Sequence, residues 1–98
     1  MGKDIIREHA RLIMLRELHQ QSNYASNDSM LQQVLESFGI AKSRDWIRSE
    51  IDWLADMGAV TKAVVGSAWI ITLAPKGFEH VERRLLIEGV KRPSPPEG

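Results

Sequence analysis

The segment from Ser43 to Gly77 constrains the fold most, because its hydrophobic periodicity changes within a short stretch. Ser43 is well suited to cap the N-terminus of a helix, and Gly58 to end that helix in a left-handed turn. Two β-prone runs follow, at 60–65 and 69–73. The segment therefore predicts a helix that leads into a β-hairpin.

Turn and cap signals place the other elements around this segment. Gly66-Ser67 separates the two β-prone runs and fits a hairpin turn. Pro75 suits the first turn of a fourth helix, and Gly89 marks its expected end. Asn27 is a good N-cap for a second helix, which Gly39 is expected to terminate.

The first helix, expected over about residues 3–20, carries apolar residues on two sides. One sector consists of Ile5, Ile6, Leu12 and Ile13. The other holds Met14, Leu15 and Leu18. A second apolar face implies either burial on both sides within the domain or contact with another subunit. The latter alternative predicts a homodimer with its interface at Met14, Leu15 and Leu18.

Length and composition point to one ordinary globular domain. The chain has 98 residues, of which 43% are hydrophobic and 27% charged, enough for one modest core. No apolar run approaches the roughly 20 residues needed to cross a bilayer. Asp4, Arg7 and Glu8 interrupt the N-terminal region where a signal peptide would need an apolar stretch. We therefore expect a cytoplasmic protein.

Charge is balanced overall but distributed unevenly. Residues 27–58 carry three basic and six acidic side chains, whereas residues 59–92 carry six basic and three acidic ones. Non-specific affinity for DNA comes mainly from neutralising phosphates, so an acidic helical segment lowers it unless basic residues converge from elsewhere. Glu50 falls inside the apolar arc of the third helix, and we expect it to form an ion pair because a lone buried carboxylate is costly.

Candidate catalytic chemistry is sparse. The absence of cysteine excludes disulfides, thiol catalysis and cysteine-based zinc sites. The histidines, His9, His19 and His80, lack the i,i+3 or i,i+4 spacing of helical metal ligands. No nucleophile elbow or phosphate-cradling glycine loop is present. We therefore expect no enzymatic activity, no cofactor and no metal site.

The order of elements resembles that of winged helix-turn-helix proteins over about residues 3–90. The segments that carry the resemblance are NDSMLQQVLESFGIAKSRDWIRSEIDWLADMGAV and WIITLAPKG. The second departs from the usual close of a wing, because Ala74 stands where a threonine cap is typical. The resemblance implies a mainly α fold with a small β-hairpin, ordered helix-helix-helix-wing-helix, over residues 1–90. It also implies a short extra strand at Tyr24 and Ala25.

The C-terminal residues form a separate compositional segment. Residues 91–98, KRPSPPEG, are rich in proline and cannot continue a helix. We therefore expect a flexible C-terminal tail from residue 91 onward.

A narrower resemblance concerns small proteins of Mu-like prophages, which are described as ArsR-like winged-helix regulators. It is carried by SRDWIRSEIDWLADMGAV and GVKRPSP. The resemblance implies a phage protein in a bacterial host, acting in gene control, assembly or packaging. It implies no substrate or cofactor.

If the third helix reads double-stranded DNA as in winged-helix regulators, its N-terminal polar residues would face the major groove, with arginine as the usual reader of guanine. Neighbouring lysines, and the basic residues near the C-terminus, would then contact phosphates. The expected DNA-binding residues are Lys42, Ser43, Arg44, Arg48, Ser49, Lys62, Lys91 and Arg92.

Two alternatives to DNA reading remain open. Asp45, Asp52 and Asp56 on the same helix would repel a phosphate-lined groove. Arg44 and Arg48 would then belong to a solvated face, or the fold would serve as a protein-interaction adaptor in phage assembly. A continuous basic band favours DNA, and a band broken by these carboxylates favours a protein partner.

Overall fold

The structure is a computed structural model that describes residues 4–94 of the chain. Within this range it contains four helices and three strands. Their order is α1 (Ile5–Gln20), β1 (Ala25–Asn27), α2 (Asp28–Ser37), α3 (Arg44–Asp56), β2 (Val60–Val65), β3 (Ala68–Leu73) and α4 (Pro75–Val81). The architecture is α+β, and the predicted succession of helix, hairpin and helix after Ser43 is confirmed.

Local side-chain bonds explain where the helices begin and end. The side chains of Asn27 and Ser43 each accept a hydrogen bond from the backbone N–H three residues on, at 2.8 and 3.1 Å. Gly39 and Gly58 adopt φ values of 84° and 79°, and end α2 and α3. These caps confirm the predicted boundaries. Lys3, the expected start of the first helix, lies outside the described residues.

The three strands form one antiparallel sheet in the order β1-β3-β2. The hairpin register runs from Val60 opposite Leu73 to Val65 opposite Ala68, as the Gly66-Ser67 turn predicts. The expected additional strand is present, although it begins at Ala25. Tyr24 lies just before it at a φ of 58°, with its carbonyl oxygen accepting the Leu73 N–H at 2.8 Å.

The core surrounds α1, and in its first apolar sector Leu12 and Ile13 are buried, whereas Ile5 and Ile6 are 76% and 51% exposed. Met14, Leu15 and Leu18 are 1%, 0% and 0% exposed in the single chain. The domain's own helices and sheet cover them, so they form no exposed seam for a second subunit. The prediction of a dimer interface at these three residues is therefore wrong. Between Ala10 and Leu18 the helix has two apolar faces because it is buried on two sides.

Helix α4 ends earlier than the sequence predicts. It stops after Val81, because Arg83 takes a φ of 66° in the left-handed region. The N–H groups of Arg83 and Arg84 bond to the carbonyl oxygens of His80 and Glu79, at 3.0 and 2.9 Å. This is the Schellman arrangement, with arginine at the position that glycine usually occupies. Gly89 was therefore the wrong end point.

The segment after α4 folds back onto the domain. His80 is fully buried; its Nδ1 accepts the Ile87 N–H at 3.0 Å and its Nε2 donates to the Lys91 carbonyl at 2.9 Å. The Lys91 N–H reaches the Glu8 carbonyl at 3.1 Å, and Pro93 is buried. Residues 91–93, within the segment expected to form the tail, therefore contact the domain, and residues 95–98 lie outside the described range.

None of the helices within residues 4–94 combines the length and the apolar character that crossing a bilayer demands.

Gly77→Ala is expected to destabilise the fold by roughly 1–3 kcal/mol, since overpacking a close contact forces backbone or side-chain shifts. An added Cβ would lie 2.3 Å from the Ala59 carbonyl oxygen and 2.9 Å from Leu73 Cδ1. That carbonyl is fixed, because it accepts the Ala74 N–H at 3.0 Å. Urea unfolding measures the change, with the exposed neighbour Lys76→Ala as control. Equal stability of the two variants would contradict the packing argument.

Candidate functional site

The predicted DNA-reading face is organised around a buried carboxylate. Asp28, the first residue of α2, is 1% exposed. Its Oδ1 accepts the Trp69 backbone N–H at 3.2 Å, and its Oδ2 accepts from Arg48 Nε at 2.7 Å. The carboxylate therefore links the start of α2 to α3 and to strand β3.

Both arginines predicted to read bases are drawn toward this carboxylate. Arg48 also donates from Nη2 to the Ser67 carbonyl at 2.7 Å, so that it clamps the hairpin turn. Arg44 donates to the Ser29 hydroxyl, and its Nε lies 3.6 Å from Asp28 Oδ2. The guanidinium of Arg44 is the more accessible, with 46% of its side chain exposed against 24% for Arg48.

Lys62, predicted to hold a phosphate, is paired within the protein. Its Nζ lies 2.6 Å from Asp52 Oδ1 and 3.9 Å from the centroid of the Trp69 ring. The guanidinium of Arg48 lies 4.6 Å from the same centroid. Cations over an indole face are attracted by its quadrupole. The structure therefore brings Arg48 and Lys62 together at Trp69. Arg48 is paired with Asp28, and Lys62 with Asp52.

The remaining predicted residues of this face make mainly structural contacts. Ser43 caps α3, and the Ser49 hydroxyl donates to the Trp46 carbonyl at 2.7 Å. The Lys42 ammonium lies 5.4 Å from the centroid of Trp46, and its carbonyl accepts from the Gln32 side chain at 2.8 Å. None of these contacts extends the group around Asp28.

Lys91 and Arg92 lie in a different set of contacts. Lys91 is bonded through its backbone to Glu8 and His80, and Arg92 lines a cleft with Arg83 and Leu86. The structure therefore divides the predicted DNA-binding residues into two groups, one around α3 and one around the segment after α4.

The pKa of Asp28 reflects its surroundings. Burial by itself would raise the pKa of Asp28, but the bond from Arg48, the Trp69 N–H and the charges of Arg48 and Arg44 outweigh it. The net effect is a pKa below its ordinary value. The ionised carboxylate is therefore the form that holds α3 to the hairpin.

A second buried carboxylate lies on the inner side of α3. Glu50 is 2% exposed and forms ion pairs with Arg7 and with Arg11, whose Nε lies 2.6 Å from Oε1. This confirms the predicted ion pair. Arg11 also donates to the Gly89 carbonyl at 2.8 Å, and its guanidinium lies 3.8 Å from the centroid of Trp53. The bond to Glu50 raises the pKa of Arg7.

The sequence pattern does not identify Asp28 as a partner for the arginines. Trp69 follows it by 41 positions and Arg48 by 20, so no local spacing reveals the group. The charge imbalance of residues 27–58 was the one available signal. Within residues 4–94, no three His, Cys, Asp or Glu side chains converge as metal ligands would.

Asp28→Asn is expected to lower the free energy of unfolding at neutral pH by about 2 kcal/mol, since it removes charge-assisted hydrogen bonds in a buried position. Because the folded-state pKa of Asp28 is lowered, its contribution is present above the ordinary aspartate pKa of about 4 and is lost as the pH falls through the folded-state value.

Chemical unfolding at neutral pH and at several values below about pH 4 measures both effects. Wild-type stability should decline more steeply than that of Asp28→Asn. Parallel pH profiles would contradict the assignment. The exposed carboxylate variant Asp45→Asn serves as control, and should change neither stability nor the profile appreciably.

Comparison with known proteins places the chain among phage proteins. It is 41% identical over 95 residues to gp26, an uncharacterized protein of Escherichia phage Mu, covering 97% of this chain and 98% of the Mu protein. It is 26% identical over 95 residues to an uncharacterized protein of Haemophilus influenzae, covering 97% of this chain and 92% of that protein. No family model and no solved structure matches the chain. The chain belongs to the same protein family as gp26 of phage Mu.

Proposed function

We propose that this phage protein is a winged-helix module that binds a protein partner in phage assembly, through an extended basic segment added to the edge of strand β2. The element order supports the winged-helix assignment, since α2 and α3 are followed by a hairpin whose inner strand also pairs with β1. It is compatible with an ArsR-like arrangement. The proposed binding depends on the carboxylates along α3 and on the open outer edge of β2.

The observation that carries the proposal is that basic residues near α3 are paired with carboxylates of the protein itself. Arg44 and Arg48 face Asp28, and Lys62 faces Asp52. Within residues 4–94, Asp45 and Asp56 have no cation at ion-pair distance. The side of α3 that carries Asp45, Asp52 and Asp56 is therefore acidic, and it would repel the phosphates of a DNA groove.

Strand β2 offers an open sheet edge beside this acidic surface. The Ala59 carbonyl accepts the Ala74 N–H, and backbone groups alternate in direction along a strand. The backbone groups of Lys62 and Val64 therefore point away from β3. No backbone hydrogen bond among residues 4–94 reaches this outer edge. Val64 and Val65 are 62% and 61% exposed, which leaves apolar side chains available to an added strand.

The carboxylates of α3 beside the edge of β2 favour a partner with basic side chains. Asp45, Ser49, Asp52 and Asp56 recur at helical spacing along one side of α3. The ion pair from Lys62 to Asp52 places this row next to β2. An extended segment with lysine or arginine side chains would bond its backbone to Lys62 and Val64, and bring its cations to Asp45 and Asp56.

Val64→Pro is expected to weaken binding of a synthetic peptide of alternating lysine and valine by about tenfold or more, since it removes an outward N–H worth about 1 kcal/mol together with its neighbouring contacts. Proline is tolerated on an edge strand where the N–H faces away from the sheet. Val64→Thr keeps the N–H and should bind nearly as well as the wild type. Amide chemical shifts across 60–65 measure the binding.

A peptide of alternating glutamate and valine provides the charge control. It should bind much more weakly than the lysine peptide, and the double variant Asp45→Asn, Asp56→Asn should reduce that difference. Shifts that avoid β2, or equal binding of the two peptides, would refute the proposed surface. Thermal unfolding of both Val64 variants checks that the fold is retained.

Reading of double-stranded DNA by α3, in phage gene control or packaging, is the second candidate. It is supported by the helix-turn-helix order and by Arg44, which keeps nearly half of its side chain exposed at the start of α3. Arg48 would have to exchange Asp28 for a base edge. Each arginine that reads a base contributes about 1–3 kcal/mol of discrimination.

If this candidate holds, changing Arg44 and Arg48 together to Ala should weaken retardation of phage DNA in a mobility shift at low salt. Arg84→Ala, which removes an arginine paired with Glu79, is the control. A wild-type protein that retards no DNA at low salt would eliminate α3 as a DNA-reading helix.

A further inference from the structure

A row of three arginines lies outside the α3 surface. Arg16 and Arg83 line one cleft of about 370 Å³, and Arg83 and Arg92 line a second of about 230 Å³. Arg83 therefore stands between the other two. All three side chains are exposed. Helix α1, the turn after α4 and the C-terminal segment each contribute one of them.

The row differs from the other arginine sites in having no internal counter-charge. Among residues 4–94, no carboxylate lies at ion-pair distance from Arg16, Arg83 or Arg92. The acidic side chains closest in the sequence to Arg83 have other partners. Glu82 bonds to His19 at 2.6 Å and lies 3.7 Å from Arg84, which also holds Glu79 at 2.7 Å. Glu82 lines the larger cleft, where its carboxylate is hydrogen-bonded to His19.

The backbone at Arg83 adds a second observation. Its φ of 66° is a conformation that disfavours a side chain, at a position where glycine is usual. The arginine nevertheless projects from this turn between the two clefts. Glycine would relieve the backbone and remove the guanidinium, so folding and ligand binding can be separated at this residue.

We propose that Arg16, Arg83 and Arg92 form a site for the phosphate backbone of a nucleic acid. A guanidinium presents paired donors that match phosphate oxygens. The two open clefts share Arg83, so a ligand with several linked phosphates can contact both, whereas a single small anion would occupy one. The site lies on other elements than α3 and β2, so it goes beyond the proposed protein-binding function and does not rest on it.

The test measures binding of the full chain to a mixed-sequence duplex and to a single strand of the same length, by fluorescence anisotropy over a series of salt concentrations. Three phosphate contacts predict a slope of log K against log salt of about −2.7 for duplex DNA. Each of Arg16→Gln, Arg83→Gln and Arg92→Gln should reduce the magnitude of that slope by about 0.9. The triple variant should lose most of the salt dependence.

Two further variants separate this site from bulk charge and from folding. Arg84→Gln removes the same charge from an arginine that is already paired, and should leave the slope unchanged. Arg83→Gly should weaken binding as much as Arg83→Gln does, while its midpoint of thermal unfolding equals or exceeds that of the wild type.

The following outcomes would overturn the proposal. They are no binding of either nucleic acid at low salt, equal effects of Arg84→Gln and Arg83→Gln, or binding to vesicles of phosphatidylserine and phosphatidylcholine without binding to nucleic acid. Binding that is lost on changing Arg44 and Arg48, yet unaffected by the triple variant, would also overturn it and would favour α3. If the lysine peptide fails to bind β2, the proposed protein-binding function fails, but the proposed phosphate site at the three arginines is unaffected.

Discussion

The need to compensate the buried charge of Asp28 is the constraint on which the arrangement of α3 and the hairpin depends. A carboxylate with 1% exposure requires partners, and it finds them in Arg48, the Trp69 N–H and Arg44. Those contacts hold α3 against β3 and bring the Arg48 guanidinium to the Ser67 carbonyl in the turn. Arg48, which a DNA-reading helix would present outward, is thus occupied in holding the domain together.

Glu50 is a second buried carboxylate compensated by arginines, on the opposite side of α3. Its two arginines come from α1, and Arg11 continues to the carbonyl of Gly89. Helix α3 therefore has a buried ionic contact on each of two sides, while Asp45 and Asp56 remain outside. Among residues 4–94, the surface charges without an internal partner include the carboxylates of Asp45 and Asp56 on α3 and the guanidiniums of Arg16, Arg83 and Arg92.

Local chemistry determined what the sequence could predict. The caps at Asn27 and Ser43 and the glycine stops at Gly39 and Gly58 act within a few residues, so the elements between them followed directly. The end of α4 did not, because Arg83 occupies a position where glycine would have signalled the stop. The partners of Arg44, Arg48 and Lys62 depend on contacts that only the folded chain brings together. Periodicity showed that Met14, Leu15 and Leu18 form a second apolar face, but not what covers it.

The contact between Gly89 and Trp53 has a practical consequence. A Cβ at Gly89 would lie 2.6 Å from the indole, and the Arg11 guanidinium covers the ring at 3.8 Å from its centroid. The indole is enclosed between a cation and the backbone that leads to Arg92. The fluorescence emission of Trp53 should therefore depend on whether the backbone at Gly89 packs against the indole. In a chain with Trp46 and Trp69 replaced by phenylalanine, that emission would report displacement of the segment around Gly89 without an attached dye.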